Sequence, residues 1–369
     1  MKFSQSRLAL LLLGALGAAL LIWFLIQPSA ARQDYQRGAD LAKVQLWPEA
    51  AAAWKQAIHS NPRFVPPYRK LADLYEQQGD ETDAIKVWRD LAKRVPSAKH
   101  VLCQLSADEG AAGLQAPALN DAEKELKQDP SCPTASLVAG QILANTSLQE
   151  EALARLKVAA AAYPTNDALQ LLYGRELAKN RLYDRAIPQL QAVLKRQPSS
   201  AEGIYWLAYC LSRISPPKTL AAETLLKEAL SIRPDYPEAA AELGHVYQQA
   251  GQSSLAIPYL KQSLVEQPHQ PTALFDLAAA LRTTGQKTAA TAALGRFQVE
   301  SALSARESEL QRRYAVDRSP AEAIALARLE LQMNNPQAAI RALQEVALKN
   351  PHDTKITALL RQAQSKLGE

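Results

Sequence analysis

Five histidines and three cysteines are the side chains of this 369-residue chain that most readily ligate a metal or attack a substrate. His59, His100, His245, His269 and His352 are scattered along the sequence, with no paired-histidine zinc motif and no C-x-x-C among them. A glycine-rich phosphate loop and a serine elbow are also missing. An enzyme would need its active site in a part of the chain that carries none of these patterns, so no catalysis and no cofactor or metal is expected. Other residues suit recognition. Tyr205, Tyr209 and Arg213 are each four apart and share one face of a helix, which sets two rings and a guanidinium in a line. Exposed Tyr, Phe and Arg are common anchors at protein interfaces.

The elements that would position them are helices. Hydrophobic residues make up 47% and charged residues 21% of the chain, which excludes wholesale disorder, and aromatic residues make only 6%, which disfavours a sheet sandwich. The net charge is +5, but Lys2 and Arg7 lie ahead of an apolar leader, and beyond it acids and bases interleave. No basic stripe stands out, so nucleic acid is not an expected partner. Prolines at 62, 96, 130, 164, 198, 234 and 268 recur at a spacing of 34 that lengthens once to 36. Twelve residues before each stands an alanine: Ala50, Ala84, Ala118, Ala152, Ala186, Ala222 and Ala256. Ten residues after each stands a small residue: Ala72, Ser106, Gly140, Gly174, Ala208, Gly244 and Ala278. Within one period two amphipathic runs flank a turn, as at Gly251, and the proline stops the second run because it lacks a donor N–H.

This pattern resembles the tetratricopeptide repeat family, whose 34-residue unit is helix, turn, helix with small residues at the crossing and a closing proline. Trp54 and Trp88, Tyr75 and Tyr247, and Gly79, Gly251 and Gly285 occupy matching places. The resemblance implies an all-α fold, a right-handed superhelical α-solenoid of about nine repeats, and the apolar leader ahead of it reads as an N-terminal transmembrane helix. The expected organisation is an anchor or signal peptide at 1–30 and repeats one to eight at 31–302. An extended helix or insertion follows at 303–319, a ninth repeat at 320–353 and a capping helix at 354–369. The two extra residues of the sixth repeat fall in the turn containing Pro216 and Pro217, and the first helix of the third repeat, with Glu109 and Gly110, is expected to fray. In this family the first helices line a concave, peptide-holding groove. By register that groove here includes Arg69, Asp73, Leu171, Arg175, Tyr205, Tyr209, Arg213, His245, Phe275 and Arg282. The competing reading of these residues is an ordinary solvated helix face. Cys210 falls on the buried side of its helix and reads as a packed thiol. Cys103 and Cys132 fall at one end of the stack, where a disulfide stays open if their Cα atoms come within about 7 Å.

Leu8–Ile26 is an uncharged stretch of 19 residues, long enough as a helix to cross a bilayer. Lys2 and Arg7 favour a cytoplasmic N-terminus and an extracytoplasmic, periplasmic body; secretion after cleavage at Ala31 is the alternative. The function expected from these features is that of a membrane-anchored scaffold. It binds a protein or peptide partner, with no small-molecule substrate, in assembly of an envelope or secretion complex. Two alternatives are a factor similar to the tetratricopeptide subunits of cytochrome c maturation and an accessory factor for exopolysaccharide synthesis or export.

Overall fold

The computed structural model of the chain describes residues 29–144, 149–317 and 319–367. The apolar segment Leu8–Ile26 lies outside them, and no described helix is long and apolar enough to cross a membrane. Among the described residues the chain forms nineteen helices and no strand. They are α1 Ala30–Lys43, α2 Trp47–Ser60, α3 Val65–Gln77, α4 Glu81–Arg94, α5 Val101–Ala111, α6 Gln115–Gln128, α7 Pro133–Ala144, α8 Gln149–Ala162, α9 Asp167–Lys179 and α10 Tyr183–Arg196. There follow α11 Ala201–Arg213, α12 Thr219–Ile232, α13 Pro237–Gln249, α14 Ser253–Glu266, α15 Pro271–Thr283, α16 Lys287–Asp317, α17 Pro320–Gln332, α18 Pro336–Lys349 and α19 Thr354–Leu367. Successive helices pack in pairs, which makes the fold an all-α solenoid of helical hairpins.

Each hairpin is held by the repeated small residues. All seven alanines of the series are buried. At the facing position, a Cβ added to Gly140 would come 2.5 Å from Leu156, one on Gly174 2.8 Å from Leu190, and one on Gly244 2.5 Å from Leu260. A leucine of the second helix therefore sits directly on the backbone of the first, and only glycine permits that approach. Gly38 does the same for the Trp54 indole at 2.5 Å.

The turn between the two helices has one recurring geometry. Gln45, Gly79, Gly113, Arg181, Gly251, Gly285 and Asn334 all have φ between 56° and 78°. The residue after each donates its N–H to a carbonyl five residues back, for example Asp80 to Tyr75 at 2.9 Å and Gln252 to Tyr247 at 2.8 Å. This is the Schellman closure of a helix, and glycine suits it because no Cβ resists the left-handed conformation. In the sixth repeat the insertion replaces it, and the Lys218 N–H reaches back to Leu211 at 2.8 Å.

The described residues divide into two compact units, one up to Asp108 and one from Glu109. In the first, Ala50, Trp54, Leu71 and Leu74 form a small core. The second holds two cores, one running from Leu156 to Ala293 and one from Leu310 to Ala363. Residues 101–111 are helical, with Glu109 buried, so the fraying expected there does not occur. Lys287–Asp317 is one helix of 31 residues. Cys103, Cys132 and Cys210 are all buried as thiols, so the disulfide considered for the first two is not present in the structure.

Candidate functional site

First helices of consecutive repeats pack against one another from α7 through α9, α11 and α13 to α15, besides packing on their own partners. Second helices show no comparable succession, so the first helices lie on the inner side of the stack and form a continuous face.

At the centre of that face α11 carries three adjacent rings. Ring centroids are 5.0 Å apart for Tyr205 and Trp206, 5.3 Å for Trp206 and Tyr209, and 6.2 Å for Tyr205 and Tyr209. Tyr183 from the preceding repeat lies 6.4 Å from Tyr209, and Tyr236 from the following one lies 5.2 Å from Tyr205. Edge-to-face and tilted arrangements of this kind add to the stabilisation from burial. Tyr205 is therefore a core residue, buried and with its phenol pKa pushed up by desolvation. Trp206 and Tyr209 are half-buried, and they form the part of the cluster that a partner can touch. Cys210, one residue on, is buried with its thiol pushed up to about 12 by desolvation, which leaves it an unreactive packing group.

The cations of the row are paired with acids, of the following repeat for Arg213 and His245 and of both its own helix and the following repeat for Arg175. Arg213 lies 3.8 Å over the Tyr209 ring and bonds Glu242, a buried carboxylate that also accepts a hydrogen bond from the Ser212 hydroxyl at 2.8 Å. Arg175 lies 3.1 Å from Glu176 and 3.4 Å from Glu202. His245 Nδ1 is 2.9 Å from Asp276 Oδ2, a hydrogen bond that raises the imidazole pKa against the opposing effect of burial. Of the groove residues expected from the sequence, Arg175, Arg213 and His245 are thus each paired with an acid within the protein. Leu171 is half-buried against the main core, while Phe275 and Arg282 are exposed at the far end.

Arg69 and Asp73 belong to the first unit and are described by themselves. They line a cavity of about 500 Å³ with Tyr35, Val65, His100 and Gln104. Arg69 donates to the Lys99 carbonyl at 2.8 Å, and Asp73 lies 3.6 Å from Lys70.

Sequence reasoning did not single out Tyr183, Trp206, Tyr236, Glu242 or Asp276. A signal for the last two existed: both are the sixth residue of their first helix, 34 apart, and each is followed by a leucine, Leu243 and Leu277.

Among solved structures, YrrB, described as a TPR protein with an unusual peptide-binding site, is 21% identical, covering 51% of this chain and 96% of its own, with a TM-score of 0.44. The APC/C hetero-tetramer Cut9–Hcn1 is 16% identical over 89% of this chain and 62% of its own, with a TM-score of 0.48. MamA is 22% identical over 45% of this chain and 96% of its own, with a TM-score of 0.38. These likenesses concern the fold alone. Among curated proteins none matches the chain. The tetratricopeptide repeat profile matches residues 35–99, 115–167, 171–237 and 241–302, which is more than half of the chain. With its helical hairpins, buried alanine series and recurring turn, the chain belongs to the tetratricopeptide repeat family.

Proposed function

We propose that the chain is a non-enzymatic scaffold that holds a protein or peptide partner on the face of its first helices. The observation that carries this reading is the aromatic cluster of α11, where Trp206 and Tyr209 stay half-buried while Tyr205 and Tyr236 are buried beneath them. Partly exposed rings braced by buried ones are rigid anchors that lose little entropy on binding. Since Arg175, Arg213 and His245 already face acids, the surface suits apolar and aromatic side chains better than acidic ones. YrrB, named for a peptide-binding site, is one family member for which such a role is stated. The family's right-handed superhelix would wrap this face around an extended or helical ligand.

The uncharged segment Leu8–Ile26, preceded by Lys2 and Arg7, supports a membrane anchor with the repeats outside the cytoplasm, where assembly of an envelope or secretion complex would place the partner. A phosphatase fused after Glu369 should then be active. Activity of a cytoplasmic reporter at that site would reverse the orientation, and release of soluble protein would replace the anchor with a cleaved signal. The binding reading is tested by capture from membranes of the native host. Trp206→Ala should lose the partner, and Leu255→Ala, on an exposed second-helix position, should retain it. Equal capture by two folded variants would remove the first-helix face from the account.

A further inference from the structure

The end of the eighth repeat carries the same leucine as the ends of repeats four to seven, yet among the described residues it is left open. Leu156, Leu190, Leu226 and Leu260 occupy one position of successive second helices and are each 0% exposed. Leu294 occupies the same position of α16 and is 42% exposed. On the first helices the same holds for Tyr205 and Phe275, which are 8% and 52% exposed. Tyr205 is covered by Tyr236 of the following repeat; the ring that Phe275 meets among the described residues is Phe297 of its own repeat, at 5.4 Å. The cause is the length of α16. Its 31 residues carry the chain past the place where the next first helix would pack, and α17 joins the second core through Leu326 and Leu310. The succession of first-helix contacts stops at α15.

The polar pattern of the earlier junctions is also left open. Ser212 donates to Glu242 of the next first helix, and Gln248, its counterpart one repeat on, donates to the Asp276 backbone carbonyl at 3.4 Å. The counterpart in the eighth repeat is Arg282, which is exposed, and among the described residues no acid pairs with it. The sixth residue of α17 is Ala325, and the two acids of that helix are engaged elsewhere, Glu322 with Arg313 and Glu330 with the Asn335 amide at 3.1 Å.

We infer that Phe275, Arg282 and Leu294 form a slot for one amphipathic helix of a partner protein, seated as the first helix of a following repeat would be. The chain's own first helices state what that helix needs. It carries an acid near its sixth residue to meet Arg282 and a leucine directly after it, as in Glu242–Leu243 of α13 and Asp276–Leu277 of α15. This slot is separate from the aromatic cluster of α11, so either can fail without the other.

The test uses the full chain and a fluorescent synthetic peptide spanning residues 234–252, which contains α13 with its Glu242–Leu243 pair. Anisotropy should report saturable binding. Leu294→Glu should weaken it by about tenfold or more, the loss typical of a charge set into an apolar contact. Arg282→Glu should weaken it several-fold, and a peptide carrying Glu242→Lys should recover the loss on that variant alone. Both substituted positions are exposed, so the variants should keep the circular dichroism melt of the parent, which is measured alongside. Absence of binding would overturn the proposal, as would binding that neither substitution changes. A parent chain that doubles its mass in light scattering and returns to monomer with Leu294→Glu would assign the slot to a second copy and overturn the partner helix.

Discussion

Repeats five to seven and repeat eight share one sequence register and differ in what covers them. Leu190, Leu226 and Leu260 are each 0% exposed in second helices packed between two first helices, whereas Leu294 is 42% exposed. The same contrast holds for polar groups, since Glu242 and Asp276 gather donors across a junction and Arg282 waits at the edge of one. A repeat's position in the 34-residue pattern therefore does not fix the burial of its residues; the succeeding repeat does. Stability in such arrays is a sum of repeats and the interfaces between neighbours, and repeat eight lacks one interface in register.

The sharpest way to break that comparison is to truncate both leucines. Leu260→Ala removes a fully buried side chain and should cost about 2 to 5 kcal/mol in a denaturant titration. Leu294→Ala, at the matching position, should cost less than about 1 kcal/mol because solvent already reaches it. Similar losses would mean that the slot is closed.

Two glycines give the next contrast. A Cβ on Gly244 would come 2.5 Å from Leu260, so Gly244→Ala should destabilise by about 1 to 3 kcal/mol through overpacking. Gly295, inside α16, would have nothing within 4 Å of a Cβ. There alanine should stabilise by about 0.5 to 1 kcal/mol, the intrinsic helix preference. Opposite signs in thermal melts support the register, and two losses would count against it.

A smaller effect is expected at the seventh junction. Asp276 raises the pKa of His245 above its ordinary 6.5, so the folded state holds this proton more tightly than the unfolded state. The resulting stability is fully present below pH 6.5 and is lost as pH rises through the raised value. His245→Gln should flatten stability against pH across that window by less than about 1 kcal/mol, since a quarter of the side chain is open to water. An unchanged profile would remove His245 from the junction's energetics.

Much of the fold was legible because the alanine and proline series act through contacts repeated every 34 residues, and a repeated contact leaves a repeated residue. Gly251 in its turn and Gly244 at its crossing follow from backbone geometry that one repeat determines alone. The candidate site was legible only in part. Tyr205 shares a helix face with Tyr209, yet it is buried because Tyr236, 31 residues later, packs on it at a tilt from the connecting segment. Arg213 looked like a free cation because Glu242 comes from the following repeat. Helical spacing describes a face and leaves out what the next repeat sets against it. This also alters the choice of variants: Arg213→Glu would confront the buried Glu242 carboxylate and damage the fold, so Trp206 is the cleaner probe of binding.

The central claim is that the face of the first helices meets the partner and the outer face of the second helices does not. A photo-crosslinking residue placed at Trp206 tests it most directly, with the same residue placed at the exposed second-helix position Leu255 for comparison. Irradiation in the native host should join the chain to one defined protein from position 206 and leave position 255 unlinked. Adducts formed from position 255 and absent at position 206, in two variants that both fold, would contradict the account.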